Sequence, residues 1–188
     1  MRKTTKLLAA AGLLVALDIV FARFLSFYTW DYAVRVGPQF LAHAMAGWLL
    51  GPVWALGTAV AGDILGMLIN SAGLSFLPGY TLSAAMSGLL YGLLLHRRPV
   101  RNPDVRRPAA RGLLRAALAV GTVTLVVSLG MGSLWSLLYF GKGWWGVFLL
   151  ALPWRALLWP VYTALLYAAQ QGLDRAGVRE RLQGGPPS

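Results

Sequence analysis

The chain has 188 residues, of which 57% are hydrophobic and 12% charged, and its formal net charge is +11. This composition is too apolar for an ordinary soluble domain and indicates a membrane protein. The absence of cysteine excludes disulfides, thiolate nucleophiles and thiolate metal sites. The two histidines lie far apart without other ligands nearby, which argues against a metal site. The basic residues gather at the ends of apolar runs, which argues against nucleic acid as a partner.

Six apolar runs follow one another along the chain, the first after a basic N-terminus. The second run is short and ends at Gly51-Pro52, where proline suits the start of the next helix. Pro78 opens the fourth run, and a glycine-rich turn around Lys142 separates the last two. The predicted spans are residues 7–28, 38–50, 53–70, 78–95, 113–139 and 144–169. Because crossing the hydrocarbon takes about 20 residues, the second helix must be tilted, flanked by protein or incomplete.

The loop between the fourth and fifth runs, residues 96–111, is rich in arginine and broken by prolines. The positive-inside rule places such a loop in the cytoplasm. With six spans, both termini and most basic residues fall on the side of this loop, and only Arg35 and Lys142 fall on the other side. The predicted fold is an all-α membrane protein with six transmembrane helices and cytoplasmic termini. Residues 1–174 form the predicted membrane domain, and residues 175–188 form a polar, disordered tail.

Four ionisable residues fall inside the predicted spans, namely Asp18, Arg23, Asp63 and Arg155. A charge at the bilayer centre costs ~2.5–3.5 kcal/mol on insertion scales, so it is usually paired or faces water. One interpretation is that these acids pair with the arginines from helix to helix. The other is that the arginines, both in the outer half, line an outward-open cavity for an anionic ligand, since guanidinium binds carboxylates bidentately. Asp63 would then accept a hydrogen bond from a ring amine or amide, or neutralise an arginine.

Small residues recur at a spacing of four positions in three of the predicted helices. The pairs are Gly12 and Ala16, Gly47 and Gly51, and Gly88 and Gly92. Ala9 lies close to the face formed by the first pair. This spacing permits close contact between helices in lipid. In the first span the pattern leaves open whether the contact is internal or with another subunit.

Residues 76–92 carry the most recognisable stretch of the chain, FLPGYTLSAAMSGLLYG. It occurs together with ARFLS at residues 22–26, AGWLLGPVW at 46–54, GDILG at 62–66 and Pro153-Trp154-Arg155. In this order, these stretches resemble the substrate-binding (S) components of energy-coupling factor (ECF) vitamin transporters, in particular the folate-specific group. The region from Thr29 to Phe40 departs most from that group.

The resemblance implies a six-helix membrane protein that binds a vitamin in an outward-facing pocket. Such a component docks on a transmembrane coupling subunit driven by two cytoplasmic ATPases, and topples in the membrane to release its ligand inward. The resemblance implies that Ala9, Gly12 and Ala16 form the docking surface. The chain has no Gly-rich phosphate loop followed by Lys-Ser/Thr. We therefore expect no cofactor in this chain and ATP hydrolysis by its partner subunits.

The resemblance also implies a folate-like ligand, with its pterin ring in an aromatic pocket and its carboxylates facing the mouth. The pocket would lie between the first, fourth and sixth spans and the first external loop. The candidate anion contacts are Arg23, Arg35 and Arg155, and Asp63 is a further candidate for ligand binding. The candidates for stacking are Trp30, Phe76 and Tyr80, where an aromatic pair contributes ~0.5–1.5 kcal/mol beyond its buried area.

Alternative functions remain open from the sequence. Another vitamin, such as riboflavin, fits the same S-component interpretation. An autonomous secondary transporter would show repeats and broken helices, and the short second helix is compatible with this, although no repeat is visible. A membrane enzyme such as an intramembrane serine protease is disfavoured, because neither His43 nor His96 is placed to act as the base for Ser133.

Overall fold

The computed structural model describes residues 3–28, 35–69, 77–96 and 109–183, and this part of the chain is almost entirely helical. The helices are α1 (Lys3–Arg23), α2 (Gln39–Leu50), α3 (Pro52–Ile69), α4 (Pro78–Leu95), α5 (Ala109–Val123), α6 (Gly132–Phe140), α7 (Trp144–Arg175) and α8 (Val178–Gln183). A π-helical segment, Thr124–Met131, joins α5 to α6. Between α1 and α2, the short strands β1 (Phe27–Tyr28) and β2 (Arg35–Val36) pair in antiparallel fashion, with Phe27 opposite Val36.

The predicted helical class is confirmed, and within the described residues four helical stretches are long and apolar enough to cross a membrane. They are Thr4–Arg23, Pro52–Ile69, Arg111–Phe140 and Trp144–Arg175. Helix α4 has 18 residues, whereas α2 has only 12. At 1.5 Å per residue α2 is about 18 Å long, well short of the roughly 30 Å of hydrocarbon. The six-span count and the side of the termini stay predictions.

Several helix ends differ from the predicted spans, and α5 begins at Ala109 rather than at residue 113. The first span was expected to reach residue 28, but α1 ends at Arg23 and the chain then enters β1. The last span was expected to end at residue 169, but α7 continues to Arg175. Part of the tail expected to be disordered forms α8, which packs against α1 and α2. The Arg179 guanidinium lies 5.1 Å from the ring centroid of Trp48, a cation–π contact that helps to order this helix.

The helices α2, α3 and α4 pack backbone against backbone through glycines. A Cβ on Gly47 would lie 2.5 Å from the backbone nitrogen of Gly92, and a Cβ on Gly88 would collide with the carbonyl of Ala55. Nearly all of α2 is consequently buried. Gly51 closes α2 with φ of +96°, a conformation that favours glycine, and Pro52 then starts α3.

The two ends of the molecule differ in what fills them. The end with α8 and the C-termini of α2 and α4 is here called the tail end. The opposite end, with the β1–β2 pair and the N-termini of α4 and α7, is called the hairpin end. Helix α2 reaches from the tail end only into the middle of the bundle, where Phe40 stacks on Tyr162 of α7 with ring centroids 4.1 Å apart. At the hairpin end Val36 packs against Leu129 and Ala151, so β2 lies beside the π-helical segment and α7.

Candidate functional site

At the hairpin end, beyond the N-terminus of α2, hydrogen bonds join α4 to α6. The backbone N–H of Gly79 donates to the Tyr139 hydroxyl at 3.2 Å. The indole of Trp135 donates to Ser83 Oγ at 2.8 Å. A Cβ on Gly79 would run into the Trp135 ring, so this glycine is what lets the indole lie flat on α4. These contacts fix the first turns of α4, which carry Tyr80.

Arg23 and Asp63 form an ion pair at the hairpin end. Nη2 of Arg23 lies 3.5 Å from Asp63 Oδ1, and the two side chains are only 5% and 13% exposed. The same Nη2 donates to the Asp63 carbonyl at 3.4 Å, while Thr81 Oγ1 donates to Asp63 Oδ2 at 2.7 Å. The network joins α1, α3 and α4. The pairing interpretation therefore holds for these two residues, although Arg23 Nε has no hydrogen-bond partner within the described residues.

Arg155 lies in a second group of residues, deeper in the bundle. It is about three turns into α7, between two prolines that interrupt the hydrogen bonds of that helix. Its guanidinium lies near the hydroxyls of Tyr162 and Tyr91, and its Nε has no hydrogen-bond partner in the described ranges. Tyr91 is 2% exposed. Phe40, Tyr91 and Tyr162 are here called the aromatic floor, and Arg155 lies beside it.

The other predicted ligand residues are only partly placed. Tyr80 is exposed on the first turn of α4. Arg35 is placed by its backbone, in β2. Trp30 and Phe76 lie outside the described residues. The structure therefore brings Arg23 and Asp63 into direct contact and puts Arg155 in a different group.

Asp18 pairs with a residue that the sequence analysis did not select. His43 Nε2 lies 3.2 Å from Asp18 Oδ1, and both side chains are buried. The arginines that the sequence offered as partners for Asp18 are not involved. A signal for this pair was present, because each residue is a polar interruption of an apolar run. Within the described ranges no group of three or more histidine or acidic side chains could hold a metal ion.

The small residues of α1 lie on its exposed face. Ala9, Gly12 and Ala16 are all exposed, and a Cβ on Gly12 would meet no atom within 4 Å. The adjacent Leu13 is 71% exposed. The opposite, buried face is formed by Ala11, Leu14, Asp18 and Ala22. The small residues of α1 thus lie on a face that the described part of the chain leaves exposed, unlike the glycines of α4.

Comparisons with known proteins agree with this architecture. A family model described as "ECF transporter, substrate-specific component" matches residues 6–169. The chain is 31% identical over 180 residues to a Clostridium novyi protein named "Folate transporter FolT", and the match covers 96% of each chain. A "Folate transporter FolT" of Streptococcus mutans is 27% identical over 113 residues, covering 60% of this chain and 58% of that protein. Among solved structures, "Crystal structure of FolT bound with folic acid" matches with a TM-score of 0.71 and 26% identity, covering 87% of this chain and 91% of that one.

Proposed function

The chain belongs to the family of substrate-specific components of ECF transporters, and from this premise we propose that it is a folate-binding S component. It is a multi-pass protein of the cell membrane, and its family consists of transport components rather than enzymes. The observation that carries the choice of folate is the match along nearly the whole chain to FolT of Clostridium novyi. The likeness to FolT bound with folic acid supports the same choice.

In this proposal folate enters from the hairpin end and lies above the aromatic floor. The position of Arg155 beside Tyr91 and Tyr162 suits hydrogen bonding to the oxo group of the pterin ring. Arg23 and Arg35 are then the candidates for the ligand carboxylates at the mouth, where guanidinium groups bind carboxylates well. Asp63 acts by holding Arg23 in position.

Three aromatic residues are proposed to stack on the ligand, namely Trp30, Phe76 and Tyr80. Of these, Tyr80 is exposed at the hairpin end, where a ligand could reach it. Stacking would contribute about 0.5–1.5 kcal/mol per ring pair beyond the buried area. The apolar body of a pterin and its polar edge require both kinds of group, aromatic faces and hydrogen-bond donors, in one site.

The proposed partners are a transmembrane coupling subunit and two cytoplasmic ATPase subunits. The exposed small-residue face of α1 supports this arrangement, because a partner helix can approach closely where no side chain intervenes. In lipid there is little hydrophobic drive between helices, so such close contact has to hold the partner. ATP is hydrolysed by the partner subunits, and this chain supplies the vitamin site.

The function is tested by ligand retention and uptake. The protein is purified from cells supplied with folate and riboflavin, and mass spectrometry identifies the vitamin that remains bound. Uptake of labelled folate is then measured with and without the coupling module. We expect folate to be retained and uptake to require the module. Retained riboflavin would reassign the ligand, and uptake by this chain alone would identify an autonomous secondary transporter.

The proposed topology is tested by cysteine labelling, since the native chain contains no cysteine. The variants Asn102→Cys and Lys142→Cys are exposed to an impermeant maleimide in intact cells. We expect immediate labelling at position 142, and labelling at position 102 only after permeabilisation, because the loop of residues 96–111 is strongly basic. Labelling of position 102 from outside would reverse the orientation of the whole chain.

A further inference from the structure

The pair formed by Asp18 and His43 is a buried polar contact that the proposed function does not use. Asp18 is 2% exposed and His43 7%. Neither Asp18 carboxylate oxygen has a hydrogen-bond partner among the described residues, and the Nε2 atom of His43 lies 3.2 Å from Asp18 Oδ1. Gly62 of α3 makes room for the carboxylate, since a Cβ there would collide with Asp18 Oδ2. The pair is thus enclosed by α1, α2 and α3.

Stability alone does not account for such a pair. Replacing a buried ion pair by apolar residues of similar volume is often neutral or stabilising, whereas removing one partner is strongly destabilising. Such a pair can instead specify one arrangement of the helices that it joins. The arrangement in question is the position of α2 relative to α1.

His43 lies one turn along α2 from Phe40, which belongs to the aromatic floor. Residues three or four apart share a helix face, so the position of His43 and that of Phe40 change together. The other end of α2 is anchored separately, by the contact of Gly47 with Gly92 and by Trp48 under Arg179. The first turn of α2 is consequently the end whose position Asp18 controls.

Asp18 also lies opposite the small-residue face of α1. At 100° per residue, Asp18 is about 200° around the helix from Ala16. The buried face of α1 therefore packs against α2, while Gly12 and Ala16 lie on the opposite, exposed face. The two faces therefore lie on opposite sides of the same helix.

We propose that Asp18 and His43 are positioning residues that couple partner docking on α1 to the aromatic floor of the ligand site. A partner seated on the exposed face displaces α1, and Asp18 carries the displacement to His43 and so to Phe40. This inference rests on the proposed function, because it requires both a ligand above the floor and a partner on α1. Linked binding equilibria are reciprocal, so folate occupancy and partner affinity should change each other by the same factor.

The test measures that factor directly. Folate affinity is determined for the protein alone and for the protein docked on the nucleotide-free coupling module, both in lipid nanodiscs. The ratio of the two dissociation constants is the coupling factor. We expect the native factor to differ from one by about tenfold, inside the usual range of coupling between sites. In Asp18→Leu/His43→Leu the factor should fall to about one, with the thermal midpoint maintained or raised.

Two further variants make the comparison specific. Thr163→Val is the matched control, because it removes a buried hydroxyl whose hydrogen bond within the described residues goes to the Trp159 carbonyl of its own helix, and it should keep the native factor. Asp18→Asn/His43→Gln keeps a polar side chain of similar size at each position, and it should retain most of the coupling. If the double leucine variant does not fold, Asp18→Ser/His43→Ala breaks the same contact with smaller side chains and takes its place.

Each outcome decides the inference. A native factor of one, or a double variant that keeps the native factor, overturns it and leaves the pair as packing. Loss of folate affinity in the undocked double variant also overturns it, because the pair would then serve only the ligand site. If the native protein does not bind folate at all, the proposed function fails first and the inference fails with it.

Discussion

The small residues of α4 and those of α1 share the same spacing but have opposite surroundings. A Cβ on Gly88 would collide with Ala55 of α3, and one on Gly92 with Pro52, whereas a Cβ on Gly12 would meet nothing within 4 Å. The spacing alone therefore predicts only that a close helix contact is sterically allowed. Whether the contact is made inside the chain or with another subunit depends on which neighbours the fold supplies.

The largest expected effect follows from placing a large side chain in the interior contact between α3 and α4. Gly88→Leu would drive a side chain into the backbone of α3, and overpacking of this kind costs about 1–3 kcal/mol or more. Because the obstacle is backbone, little relaxation is available, and we expect no folded protein in detergent by size-exclusion chromatography. The matched control is Gly57→Leu on α3, where a Cβ meets no atom within 4 Å. A normally folded Gly88→Leu protein would contradict the packing of α3 on α4.

The helical class could be predicted because apolar runs and their Gly-Pro punctuation are local signals. The Gly51-Pro52 turn and the start of α4 at Pro78 lie where they were expected. The end of α1 could not be predicted, since the apolar run continues past Arg23 and the break is set by the pairing of β1 with β2. Nor could α8, because its order depends on contacts with α1 and α2 that are distant in sequence.

The next effect concerns the open face of α1. Gly12→Trp or Ala16→Trp would fill the shallow groove and keep a partner helix away, but neither side chain would enter the bundle. We expect folate uptake with the coupling module to fall at least about tenfold, since close approach is what stabilises helix contacts in lipid. Folate binding by the purified protein should keep its native affinity.

The control for this prediction is Leu68→Trp, which enlarges a 78% exposed residue of α3 and should leave uptake unchanged. Parallel loss of binding and uptake in the α1 variants would show that these positions are part of the core. Full retention of both activities would move the docking surface to another face.

The two arginines of the site also differ in their partners. Arg23 forms an ion pair with Asp63, whereas Arg155 lies near the hydroxyls of Tyr91 and Tyr162 and forms no ion pair among the described residues. The sequence could identify both as costly charges within spans. It could not assign their partners, because helix-to-helix pairing is set by packing. For the same reason the sequence did not indicate that His43 lies beside Asp18, since this contact depends on the packing of α1 against α2.

This contrast predicts that the two arginines respond differently to substitution. We expect Arg23→Gln and Arg155→Gln each to weaken folate binding by about tenfold, the effect of roughly 1.4 kcal/mol. Only Arg23→Gln should also lower the thermal midpoint, because breaking a buried ion pair costs about 3–5 kcal/mol. Adding Asp63→Asn to Arg23→Gln should recover stability without recovering affinity. Native affinity in Arg23→Gln would mean that its guanidinium is purely structural.

The smallest expected effect comes from adding a single methyl group, by a glycine-to-alanine substitution, in each of the two glycine environments. At Gly12 a Cβ has free space, and alanine is more favourable than glycine within a helix by about 0.5–1 kcal/mol. Gly12→Ala should therefore raise the thermal midpoint by about 1–4 °C, and uptake should persist because alanine still permits close approach of a partner. At Gly92 the same methyl group would collide with Pro52, so Gly92→Ala should lower the midpoint despite the same gain in helix propensity. Differential scanning fluorimetry of both variants in one detergent measures the sign directly. Equal shifts for the two substitutions would mean that helix propensity outweighs the surroundings, and the distinction between the two faces would lose its physical basis.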